Sequence, residues 1–332
     1  MNNVNLTASE IGMLWTQYIQ NSMSIQILRY FYQTAEDGDI KSVVKEALRI
    51  AEYVTEDVKA IFRDEQLPIP NGFNENDVNL DAPKLFLDPF MLTFIENMGK
   101  AGSAAHGLSL GISSRKDIRE FFSKTSIDTI QLFNMCVDVA LEKGLFVRSP
   151  QIDVQNEVEY IEGKKYLSPF YKRVLNTVEI VHLFENIKTN IVGEMICTAF
   201  AQTTTSKEIK AYMKRGKEIS AKHVKVFSDI FRESAINPPM GSNGFVTDNS
   251  SSVFSDRLMM FLMSVLSATG QGNYSTASTA SMRFDLAITY QRLSAEIALY
   301  AKDGIDILIK HKWLEEPPQA LDREEIVKKT KK

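Results

Sequence analysis

The amino-acid sequence repeats itself. Arg115-Lys116-Asp117 returns as Arg283-Phe284-Asp285 and Pro150-Gln151 as Pro318-Gln319, both 168 residues further on. Upstream, Ile61-Phe62-Arg63 returns as Ile230-Phe231-Arg232 and Glu10-Ile11 as Glu179-Ile180, both at an offset of 169. The loop phrases 67–73 and 236–245, rich in Pro and Gly and each ending in Phe, follow the same segment in each copy. Several matches in one order, at spacings that differ by a single residue, mean a duplicated unit, each copy long enough for a core of its own.

Each copy holds four long segments with helical periodicity. Ile40, Val43, Val44, Ala47, Ile50, Ala51, Val54, Val58 and Ile61 keep the three-four spacing that gathers apolar groups on one helix face. Leu286, Tyr290, Leu293, Ile297, Tyr300 and Leu308 do the same near the end of the chain, and no segment alternates as a strand would. A few turn residues join the first two helices of each copy, at 36–39 and 203–205, so those helices lie antiparallel. Long polar stretches, 66–87 and 237–252, join the second to the third helix and can travel back along a bundle. The expected fold is all-α: a tandem duplication of a ferritin-like four-helix bundle with a long crossover between helices two and three. The first bundle spans 1–152, a linker 153–176, the second bundle 177–322 and a basic tail 323–332. Tyr160, Tyr166, Phe170 and Tyr171 are expected to anchor the linker to the surface.

Charge narrows the function classes. With 38 Lys plus Arg against 42 Asp plus Glu among 332 residues, the chain lacks the basic excess of proteins that hold nucleic acid by their overall field. Lys328, Lys329, Lys331 and Lys332 make only the tail basic, without the apolar helix face that membrane-surface binding needs. Cys136 and Cys197 are too few for a disulfide scaffold and lie on apolar stripes, where a thiol acts as a small hydrophobe. The polar start, with Asn2, Asn3 and Asn5, carries no signal-peptide pattern, and the apolar run 259–266 is too short to cross a bilayer. A cytoplasmic location is expected.

A bundle with one crossover raises the question of a di-iron centre, which needs inward carboxylates and two Glu-x-x-His pairs. The first copy has no such pair and only His106; the second has Glu179-x-x-His182, then Glu185 and His223, but no carboxylate on its third helix beyond the first residue. The paired-iron site is therefore not expected, and no cofactor is assigned. Glu179, His182, Glu185 and His223 could form a smaller mononuclear metal site. Against that, Glu179 and His182 read as a solvated helix edge, and His223 as a neutral core histidine with one hydrogen bond. Glu194 stands where the first copy has Ile25 on the core stripe, so an inward carboxylate in need of a partner is expected there. No nucleophile elbow or phosphate loop is present. The third helix of each copy is crowded with small residues, Gly102 and Gly107 in one and Gly270 and Gly272 in the other. Since glycine costs about 1 kcal/mol against alanine within a helix, such density asks for close backbone packing, local unwinding around a small-ligand cavity, or relief from aromatic neighbours.

The runs Phe254-Ser255-Asp256-Arg257-Leu258-Met259-Met260-Phe261, Arg215-Gly216-Lys217-Glu218-Ile219 with Lys222-His223, and Trp313-Leu314-Glu315-Glu316-Pro317-Pro318 resemble the domain-of-unknown-function family numbered 3231. The resemblance spans nearly the whole chain. That family, found mainly in Bacillus and relatives, is grouped with ferritin-like proteins and is similar to the spore coat protein F type. The resemblance implies a spore-associated or structural role in a Gram-positive spore former, without an assigned activity; the duplicated bundles, the incomplete ligand set and the glycine-rich helices point to a non-catalytic structural or interaction protein with protein partners, a second copy being one candidate. It supplies no catalytic residue. The competing reading is a degenerate metal or small-ligand binder using the second bundle.

Overall fold

The fold is taken from a computed structural model, which describes residues 4–154, 156–168, 170–239 and 243–323. Asn2, Asn3 and the lysines of the basic tail lie outside the described residues. Eight α-helices are present among the described residues: α1 (Ala8–Thr34), α2 (Gly38–Asp64), α3 (Asp88–Ile112), α4 (Lys116–Glu142), α5 (Thr177–Thr203), α6 (Lys207–Glu233), α7 (Asp256–Ala280) and α8 (Phe284–Lys310). Helix lengths of 27, 27, 25 and 27 residues in the first half recur unchanged in the second. The one-residue change of offset falls in the crossover. No helix among the described residues is long and apolar enough to cross a membrane.

Local chemistry sets the ends of these helices. Thr7 and Asn176 open α1 and α5 with the same reciprocal capping box, accepting from Glu10 N and Glu179 N while each glutamate accepts from the cap's own N–H. Asp37 and Ser206 cap α2 and α6, and Pro89 sits in the first turn of α3, where its missing N–H is not needed. After α2, α4, α6 and α8 the chain turns through a left-handed residue, Gln66, Gly144, Ala235 and Lys312 respectively. Only Gly144 does so without a side-chain penalty.

The pairs α1–α2, α3–α4, α5–α6 and α7–α8 pack as antiparallel hairpins, and the hairpins assemble into two four-helix halves. Each half sends a crossover from its second to its third helix, and the two crossovers meet. Val78 bridges Phe254 and Phe86 bridges Val246 in antiparallel sense. Four backbone bonds clamp the pairing: Asn79 N to Val253 O (2.7 Å), Thr247 N to Leu85 O (2.9 Å), Leu87 N to Phe245 O (2.9 Å) and Ser255 N to Asp77 O (2.9 Å). Each position lies 168 residues from its counterpart, so every bond has a twin with the halves exchanged. This is the reciprocity of a twofold interface, here within one chain. One apolar core runs through the first half, the paired crossovers and the adjoining end of the second half; a second cluster fills the remainder of the second half. The aromatic contact of Phe31 with Phe86 (5.9 Å between centroids) is repeated by Phe200 with Phe254 (6.0 Å).

The linker departs from expectation. Tyr160 and Phe170 are 88% and 96% exposed, so they anchor nothing. Tyr166 instead carries the Arg173 guanidinium 3.9 Å above its ring, and Arg173 reaches on to Glu179.

Candidate functional site

The four metal candidates fall into separate environments. Glu179 is fully buried, not a solvated edge. One carboxylate oxygen accepts from Arg283 N (2.9 Å), the other from Asn176 N (3.0 Å), and Arg173 grips both in a fork at 2.7 and 2.9 Å. The reason is positional: the third residue of α5 faces the turn into α8, where backbone N–H groups lack partners. Glu10 repeats the arrangement, accepting from Thr7 N, Ser114 N and Arg115 N at 2.8 Å each. Burial opposes its charge, but the backbone donors of Arg115 and Thr7 outweigh that and hold its carboxyl down at about 2.

His182 is half-buried, and burial pushes its imidazole below the usual range. Glu185 forms an ion pair with Lys100 of α3, across the two halves. His223 is fully buried between Tyr274 OH at 2.9 Å from Nδ1 and Glu296 Oε2 at 3.1 Å from Nε2. An ionised carboxylate only accepts, which places the hydrogen on Nε2 and makes Nδ1 the acceptor from tyrosine. Desolvation lowers the histidine pKa against the opposing pull of Glu296. Asn190 Nδ2 donates to Tyr274 OH (2.8 Å) and Lys222 to Glu296 (2.8 Å), so the polar chain runs from the bundle interior to the surface. Among the described residues no three His, Cys, Asp or Glu side chains converge as a metal site.

Glu194 is half-buried rather than enclosed in the core, and it keeps access to solvent. Cys136 and Cys197 are buried, which pushes both thiols up to about 12.

The small-residue helices run without interruption, so no unwinding occurs in α3 or α7. A Cβ added to Gly102 would meet Thr129 at 3.4 Å and one on Gly270 would meet Ile297 at 3.6 Å, both ordinary contacts; Gly107 and Gly272 face open space. These glycines leave room instead of admitting another backbone. Beside Gly102, a cavity of about 230 Å³ opens at the centre of the first half, with Gln17, His106 and Thr129 among its walls. His106 is held by Gln17 (3.2 Å) and Thr129 (3.3 Å) and is pushed down to about 4 by burial. The matching space in the second half measures about 70 Å³, because Tyr274 and Tyr300 stand where the first half has His106 and Leu132.

Close packing occurs elsewhere. Tyr212 and Tyr300 stack at 4.2 Å, and each hydroxyl lies over a glycine of the facing helix: Tyr300 over Gly216, Tyr212 over Gly304. A Tyr-x-x-x-Gly spacing on both α6 and α8 was the available signal for this pair.

Comparison with known proteins accords with the duplicated halves. The family described as protein of unknown function (DUF3231) matches residues 1–158 and again 169–326. The chain belongs to this family, in two tandem copies. A solved structure of a candidate spore coat protein from Bacillus halodurans is similar at 20% identity, covering 46% of this chain and 98% of that one with a TM-score of 0.42. No curated protein matches the sequence.

Proposed function

We propose that the protein is a non-catalytic structural or interaction protein, a rigid double bundle that works in the spore of a Gram-positive spore former. The observation that carries this reading is the reciprocal clamp between the crossovers, which joins two halves into one body. The deepest charges support it, since each serves the fold. Glu10 and Glu179 tie helix starts, Asp77 holds Arg257, Asp88 holds the turn into α2, and Glu96 holds Lys188. The spore setting is supported by the family resemblance carried in the sequence.

Tagged protein followed through sporulation in its native host tests the reading. The expected outcome is recovery in the insoluble spore integument. The His223→Val variant copies Val54 of the first half and is expected to be recovered in the same fraction. Retention in the mother-cell soluble fraction, or a substrate turned over by the wild type and not by this variant, would overturn the proposal. The competing metal reading is checked by metal analysis of protein purified without chelators: stoichiometric iron or manganese, lost from His182→Ala/His223→Ala, would replace the structural reading.

A further inference from the structure

The twofold relation creates two equivalent junctions between the halves, and they are built differently. At one, Lys188 of α5 is 8% exposed, paired with Glu96 of α3 at 2.8 Å, and its ammonium lies 5.3 Å from the Phe146 ring and 5.7 Å from the Phe184 ring. This junction stores a cation between aromatic faces and a carboxylate. At the other, Ile19 occupies the lysine's position, Trp15 that of Phe184, and Ser264 that of Glu96. Ile19 carries no charge into it, and a pocket of about 310 Å³ lies there.

Aromatic rings make up much of the wall at this second junction. Trp15, Trp313, Phe73 and Phe261 line it, with Phe73 and Phe261 5.2 Å apart. Arg257 also borders it, but its charge is matched by Asp77 at 2.5 Å while its guanidinium stacks 4.5 Å from Phe73. Glu315 is fixed by the N–H groups of Asn71 (2.7 Å) and Gly72 (2.8 Å), and no cation lies in salt-bridge range of it among the described residues. Arg257 and Glu315 are the charged residues of the wall; with Asp77 behind Arg257 the three sum to one negative charge, and Trp15, Trp313 and Phe261 are the rings that carry no cation. Tryptophan faces are the strongest aromatic partners for ammonium groups, and a pocket of this size at a joint between bundles suits a small ligand.

We propose that this pocket binds a small organic ammonium, taking from outside the group that the sister junction takes from Lys188. Trp15 and Trp313 are the chain's two tryptophans, so intrinsic fluorescence reports occupancy directly. Choline is the probe, with its neutral carbon isostere 3,3-dimethyl-1-butanol and matched sodium chloride as comparisons. The expected result is a saturable fluorescence change with choline, at least about tenfold weaker with the alcohol (~1.4 kcal/mol) and absent with salt. Ile19→Lys/Ser264→Glu rebuilds the sister junction and is expected to abolish choline binding in a protein that still melts cooperatively. Should that variant not fold, Glu315→Gln is expected to weaken choline at least threefold and leave the alcohol response unchanged. No saturable change with choline, an equal response to the neutral isostere, or choline binding untouched by Glu315→Gln would each overturn the proposal.

Discussion

Two glycines set the distance between α6 and α8. The Cβ of an alanine at Gly216 would lie 2.3 Å from Tyr300 Oη, and one at Gly304 would lie 2.3 Å from Tyr212 Oη. Both rings are buried and stacked, so neither can swing away. Gly216→Ala and Gly304→Ala should each cost about 1–3 kcal/mol through overpacking, read as a lower urea midpoint. Gly272→Ala meets nothing within 4 Å and should gain up to ~1 kcal/mol from helix propensity, an opposite sign for the same change. Glycine density thus pointed to the roomy helices, while the steric work falls on two isolated glycines whose partners come from another helix. The buried caps were more legible. Thr7-x-x-Glu10 and Asn176-x-x-Glu179 are capping-box patterns in the bare sequence, although Glu179 also fits the Glu-x-x-His spacing of a metal ligand. Glu10 also gives the fold a pH dependence. Its folded pKa of about 2 lies below the ordinary 4.5, so its stabilisation is present above pH 4.5 and is lost as pH falls toward 2. Glu10→Gln should lower stability at neutral pH by about 1–3 kcal/mol and flatten the acid limb of a melting-temperature profile.

The helices were readable because their signal is local. A three-four stripe such as Ile40, Val43, Val44 and Ala47 is written within one element and its burial follows. Length and polarity mark 66–87 and 237–252 as return paths, but nothing in them announces that they pair with each other. That pairing joins residues about 170 positions apart through backbone atoms, which leave little trace in side-chain choice. The same limit hid the aromatic pocket, whose walls come from α1, the first crossover, α7 and the segment after α8. The clamp has a kinetic signature. The amides of Asn79, Leu87, Thr247 and Ser255 lie in irregular chain, yet each donates at 2.7–2.9 Å to the opposite crossover. Hydrogen exchange should find all four protected to a similar degree, opening together and only with the separation of the halves. Rapid exchange at any one, with its twin protected, would contradict the reciprocal clamp.

A chain built as two like halves about an internal twofold contains, in each half, a surface that fits itself. Val78 meets Phe254 while Phe86 meets Val246, so the first crossover presents both members of the pairing needed to join a second copy of its own half. Residues 1–152 alone would uncover Tyr30 and Phe73, whose rings pack on Phe254 and Phe261 of the second half, together with a row of unpaired backbone groups. Leaving such an edge bare in water invites pairing with another chain, and the twofold geometry closes that pairing at two copies. The excised first half is therefore expected to form a dimer of twice its mass in light scattering, not a monomer or an open series. Asn79→Pro removes one donor from each protomer, at twin positions in the clamp, and should shift the fragment toward monomer at micromolar concentration. A folded monomer from the unmodified fragment, melting as the intact chain does, would show that the halves need no clamp and that the twofold pairing is incidental to the fold.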